Sequence, residues 1–200
     1  MVIKMKKIGF IFIGALLVLS SVQSAQAAKA MQEEQTAQAE ESFFNWIFDF
    51  SRHKGVAQVK NEQYEDECGA CHFPYQPGLL PALSWEKIFD VKQMENHFGD
   101  NAELDEETRV NLLQFAVNNS ADNSFFKRSR KIMASLDDNR YPNRITETPY
   151  IKEKHEDIPT KLVHDNAGVK SLSYCNNCHK KADKGIYDDD TVYIPGHGRW

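Results

Sequence analysis

The sequence predicts a mainly α protein whose helices lie before residue 136 and whose last third carries little regular secondary structure. Apolar residues recur at helical spacing in 84–98 and 105–118, and a third short helix is expected over 124–136. After Leu136 the stretch DDNRYPNRITETPYIKEKHEDIP has turn formers, two internal prolines and little periodicity. The chain is also short for what it must bury. About 170 of its 200 residues remain once an export leader is removed, a thin allotment for two separate cores, so something besides side chains is expected to fill the middle.

The leader comes first. MVIKMKKIGFIFIGALLVLSSVQSAQA places Lys4, Lys6 and Lys7 before an apolar run from Ile8 to about Leu19, and closes on the A-x-A of Ala25-Gln26-Ala27. This is a secretory signal, residues 1–27, cut after Ala27. The run falls well short of the ~20 residues a bilayer-spanning helix needs, so an exported, periplasmic protein without stable membrane insertion is expected. Removing the leader takes three lysines and no acid from 24 basic and 29 acidic groups, which leaves a net charge near −8. That balance argues against nucleic acid, whose binding needs clustered Lys and Arg. A basic or amphoteric partner protein fits better, and the chain is expected to be a monomer.

Residues 28–54 read as a flexible leader, AKAMQEEQTAQAEE, followed by SFFNWIFDF, a short helix docking on the core. FPYQPGLLPALSW, with three prolines and one glycine, is an irregular wrapping segment. A helix from Ser84 as N-cap to Phe98 ends at Gly99, and a second runs from the cap Asp105 to Asn118, with Val110, Leu112, Leu113, Phe115 and Val117 forming its apolar side. A third, Ser124 to Leu136, carries Lys127, Arg128, Arg130 and Lys131, read first as a solvated face. The predicted organisation is one domain over 55–136 and another over 137–200.

All four cysteines fall in two copies of one pattern: CGACH at Cys68, Cys71 and His72, and CNNCH at Cys175, Cys178 and His179. As a disulfide, C-x-x-C closes too small a loop to stabilise much. A thioredoxin-like pair does not ask for His next to the second cysteine. A zinc site of four cysteines leaves both histidines unexplained, and its pairs would sit far apart. Covalent haem attachment uses every residue: two thioethers hold the porphyrin edge and the adjacent imidazole reaches the iron. Two c-type haems are therefore expected, with Phe73, Tyr75, Leu79 and Leu80 pressed on the first. The basic group on the third helix could also serve haem propionates or an anionic carrier.

The sixth position on each iron is left open by these residues. Met94, Met133, His53, His97, His155, His164 and His197 are the candidates. Met94 and His97 lie three apart on the same predicted helix, and spacing does not choose between them.

The stretches GVAQVKNEQYEDECGACHFPYQPGLLPALSW, ENHFGDNAELDEET, NNSAD, RITETPYIKEKHEDIP and VKSLSYCNNCHKKADKGIYDDDTVYIP together resemble the bacterial dihaem cytochrome c family, over Gly55 to Pro195. The resemblance implies a small periplasmic electron-transfer protein, not an enzyme, with an N-terminal domain like a class I cytochrome c and a less regular C-terminal domain. It implies bis-histidine ligation of both irons: His97 of ENHFG as the distal ligand of haem 1, and His155 of YIKEKHEDI as that of haem 2, with His164 as its rival. It also implies a small oxygen-binding monohaem cytochrome as electron acceptor and a membrane cytochrome b as donor. Both axial positions filled by histidine leave no open iron and lower the potentials relative to His/Met cytochromes. The competing readings are a dihaem peroxidase-like enzyme and a haem-based redox or gas sensor, and both require one exchangeable ligand. Asp188-Asp189-Asp190 reads as a solvated turn rather than a calcium site, and Lys180 and Lys181 as a solvent-facing pair.

Overall fold

The computed structural model describes residues 55–137 and 141–200. The export signal, the leader, the docking helix at 42–50 and His53 lie outside the described residues. Among the described residues no helix is long and apolar enough to cross a membrane.

The architecture is mainly helical, as predicted, but its helices are shorter than the periodicity suggests. The first, α1 (Glu62–Gly69), was not expected. Asn61 caps it by accepting the Tyr64 amide through Oδ1 at 2.9 Å, and Glu62 and Glu65 sit in the first turn where the helix dipole favours acids. Tyr64 lies one turn before Cys68 and is buried in the core, so this helix delivers the first motif from a fixed face. The wrapping segment follows, with a 3₁₀ turn at Pro77–Leu79 that buries Leu79 and Leu80 and offers the Pro77 carbonyl to the Trp85 indole N–H at 2.9 Å.

The single helix expected over 84–98 is two, α2 (Ala82–Ile88) and α3 (Val91–Glu95). Ser84 is not its cap; it lies fully buried inside α2 with its hydroxyl unpartnered. Pro81 starts α2, and the carboxylate of Asp122 caps it from elsewhere by accepting the Ala82 amide at 2.8 Å. Asp90 causes the break: its side chain accepts the amides of Lys92 and Gln93 and so begins α3.

Helix α4 (Glu106–Asn118) has the expected Asp105 cap. Its buried ridge is Thr108, Leu112 and Ala116, however, and Val110 faces out. Helix α2 packs on α4. Helix α5 (Lys127–Ala134) is shorter than 124–136, with Ser129 and Ile132 turned inward and the Ser129 hydroxyl donating to the Gly78 carbonyl at 2.8 Å.

Beyond residue 140 the regular structure is sparse: α6 (Pro149–His155), the single turn α7 (Cys175–Cys178), four 3₁₀ turns, and a hairpin of β1 (Tyr193–Ile194) and β2 (Gly198–Arg199). A large apolar cluster draws on both sides of residue 136, from Val56, Leu80, Trp85 and Leu112 to Ala182 and Tyr187. A smaller one joins Val163, Val169, Val192 and Ile194. The segment before α1 is fastened to the late segment: the Val56 amide donates to the Gly185 carbonyl at 2.9 Å, and Gly185 takes a left-handed φ of 68°.

Candidate haem-binding site

The first motif leaves the end of α1. Nδ1 of His72 lies 2.8 Å from the Phe73 carbonyl. A carbonyl only accepts, so Nδ1 carries the proton and Nε2 keeps its lone pair for a metal. His97 faces it, with ring centres 6.3 Å apart and planes inclined by 20°. A tight turn presents His97: its amide donates to the Asp100 carbonyl at 2.7 Å, and Phe98 and Gly99 both have positive φ, 57° and 115°. For an aromatic residue that backbone is strained. The Arg144 guanidinium stands 3.9 Å over the Phe98 ring and helps hold it there. Met94, the rival ligand, is instead buried in the core.

The second motif occupies α7. His179 follows it, its amide bonded to the Cys175 carbonyl at 2.7 Å and its backbone bridged to Val192. His155 closes α6; its Nδ1 is 2.7 Å from the Ile151 carbonyl, which again leaves Nε2 free. The two rings are 6.1 Å apart with planes inclined by 72°. Both line a cavity of about 310 Å³ together with Cys175, Cys178, Leu79 and Val192. His164 is exposed and does not line this cavity, and His197 is exposed beside Trp200.

These residues fit the group that the motifs call for. Two imidazoles sharing one metal at bonds of about 2.0 Å have centres roughly 6 Å apart, which is the spacing of both pairs. Burial, then the neighbouring His155 and Arg128, pushes the His179 imidazole down to about 4; burial, then His72 and Arg144, lowers His97. Both are thus neutral at neutral pH, as ligation requires. The Nδ1 of His179 is buried without a protein partner. The four cysteines form no disulfide. Burial pushes the Cys68 thiol up to about 12 and that of Cys175 to about 11, the reverse of a reactive redox pair. Among the described residues no three His, Cys, Asp or Glu side chains come together as a metal site.

A family profile described as dihaem cytochrome c matches residues 64–187. The chain belongs to the dihaem cytochrome c family. Two c-type haems are accordingly its cofactors. It is similar to the dihaem cytochrome type c from Shewanella baltica OS155, at 41% identity over 70% of this chain and 97% of that one, with a TM-score of 0.58. It is also similar to a dihaem cytochrome c from Rhodobacter sphaeroides, at 34% identity over 66% of this chain and 99% of that one, with a TM-score of 0.57. No curated protein matches the chain.

Within this dihaem cytochrome the two motifs are tied together by residues that sequence reasoning missed or used otherwise. The Tyr75 ring lies 5.0 Å from that of His72, and its hydroxyl donates to the Ser173 carbonyl, two residues before Cys175. Gln76 donates to the Ala182 carbonyl at 2.8 Å and accepts from the Tyr187 hydroxyl at 2.5 Å. Tyr187 in turn lies 5.3 Å from the His179 ring. Gln76, a polar residue between two apolar stretches, was the one available signal.

Proposed function

We propose that the chain is a periplasmic electron relay in which Cys68 and Cys71 attach haem 1, Cys175 and Cys178 attach haem 2, and each iron is closed by two histidines. His72 and His97 hold the first; His179 and His155 hold the second. Each haem, when bound, supplies a one-electron ferric/ferrous couple. The side chains would do the rest: each pair of histidines would hold one iron and keep water and small ligands from it, and Tyr75, Gln76 and Tyr187 would keep the two motifs at a fixed spacing. The observation that carries this reading is the pairing of each motif histidine with one other histidine, at 6.3 and 6.1 Å. The division into haem domains over 55–136 and 137–200, the first like a class I cytochrome c, is part of the proposal, as is export with cleavage after Ala27. The electron donor is a membrane cytochrome b and the acceptor a small oxygen-binding monohaem cytochrome.

The test is an absorption spectrum of the purified protein, oxidised, reduced, and reduced under carbon monoxide, with haem counted as the pyridine haemochrome. Two haems and no carbon monoxide shift are expected. His97→Ala or His155→Ala should each open one iron to carbon monoxide. A shift in the unmodified protein would instead bring the peroxidase or sensor reading forward. The acceptor is tested by mixing: failure of the reduced protein to reduce a monohaem oxygen-binding cytochrome removes it.

A further inference from the structure

The crevice around His155 and His179 is lined by Glu153, Asp157 and Asp189, and a haem placed there on the proposed reading would add its own two carboxylates. Two cations line the same cavity. Lys154 is exposed; the Arg128 side chain, from the first turn of α5, is only 12% exposed. Burying a guanidinium is costly unless its donors and charge are met. Those of Arg128 are met in part. Nη2 donates to the Tyr187 carbonyl at 2.9 Å and Nη1 to the Tyr150 hydroxyl at 3.3 Å, while the backbone amide donates to the Gly55 carbonyl at 3.2 Å. The nearest anion, Asp188, is 3.9 Å away, and Nε is buried with no partner. The rings of Tyr150 and Tyr187 flank the guanidinium at 5.9 and 5.8 Å and limit its movement.

We infer that Arg128 is the anchor of a haem 2 propionate, a cation contributed by the N-terminal half of the chain to the cofactor of the C-terminal half. The inference rests on the assignment of haem 2 to the second motif. A guanidinium fork suits a carboxylate better than any other cation does. It also separates one member of the basic group on α5 from its neighbours Lys127 and Arg130, which face solvent as a solvated helix face would. A neutralised propionate favours the ferrous state, because the ferric state carries one more positive charge and gains from an uncompensated anion. Arg128 is thus a positioning and potential-setting residue, which touches the cofactor without taking part in ligation.

The experiment is stepwise reduction of the holoprotein followed by NMR, with each haem assigned through its own pair of thioether cysteines. In Arg128→Gln the ratio of reduced to oxidised haem 2 at a fixed potential is expected to fall about tenfold, or about 59 mV for a one-electron couple, while haem 1 stays where it was. Arg128→Lys keeps the charge and should recover most of the shift. Equal shifts in both haems, no shift in either, or a lysine variant no better than glutamine would overturn the inference. Should the glutamine variant not yield holoprotein, redox difference infrared spectra with ¹³C-labelled propionates decide on Arg128→Lys alone: a moved carboxylate band at haem 2 supports the anchor, and an unmoved one refutes it. A carbon monoxide shift in the unmodified protein would defeat the bis-histidine reading and leave these outcomes readable.

Discussion

At the scale of the residue, the two histidine pairs share a spacing but not an orientation. The planes of His72 and His97 are inclined by 20°, those of His155 and His179 by 72°. Parallel imidazoles split the iron orbitals that mix with the ring π systems, whereas crossed imidazoles leave them nearly degenerate. If each pair holds one iron, as proposed, the oxidised protein should show two low-spin resonance signals in equal amounts, an ordinary rhombic one from haem 1 and one of unusually large anisotropy from haem 2. Two identical spectra would contradict the pair geometry. The two motifs were legible in the sequence, because five residues carry the whole pattern. That His97 and His155 would stand opposite the motif histidines was indicated only by resemblance. Met94 and His97 share a face if one helix runs through both, and nothing in that spacing reveals that the helix stops at Glu95, buries Met94 and hands His97 to a turn.

At the scale of the element, the decisive residue is Asp90. Its carboxylate ends the α2 direction and begins α3, so it sets where Met94 and the following turn fall. Asp90→Ala should cost about 1 kcal/mol through the lost cap, seen as a melting temperature lowered by about 3 °C in a protein of this size. Asp90→Asn or Asp90→Ser should retain most of the stability, because either can cap. The same physics explains which helices could be read beforehand. Helix α4 has a cap and acids in its first turn, and its bounds agree with the expectation, although Val110 of the expected apolar side faces out. Helix α1 is almost wholly polar, EQYEDECG, and buries only Tyr64, so no periodicity announced it. The split of α2 from α3 was hidden because apolar spacing runs on through Phe89 and Val91 while Asp90 interrupts the backbone.

At the scale of the whole molecule, the segment before α1 and the late segment meet backbone to backbone. A Cβ on Gly185 would stand 2.4 Å from the Val56 carbonyl oxygen, and one on Gly55 would stand 2.0 Å from that of Gly185. Gly185→Ala should destabilise by at least about 2 kcal/mol, since left-handed backbone alone costs ~1–2 kcal/mol for alanine and the contact must also part. Gly196→Ala is the control: φ is 75°, but no atom lies within 4 Å. Denaturant midpoints of the two variants separate conformational cost from lost closure, and equal midpoints would remove the special role of the contact. Length and composition predict a chain short of core for two separate domains. That a glycine pair so distant in sequence would clasp the two halves was not, because close approach leaves no periodic or compositional trace.

The clasp also bears on the order in which the protein is made. Chains emerge N-terminus first, and Gly185 follows both cysteine pairs. Closure of the fold between Val56 and Gly185 must therefore wait until the second motif has appeared, so both pairs of thiols leave the point of synthesis before the fold can close over them. Whatever reacts with those thiols meets them first in an unclosed chain, and the arrival of Gly185 ends that interval.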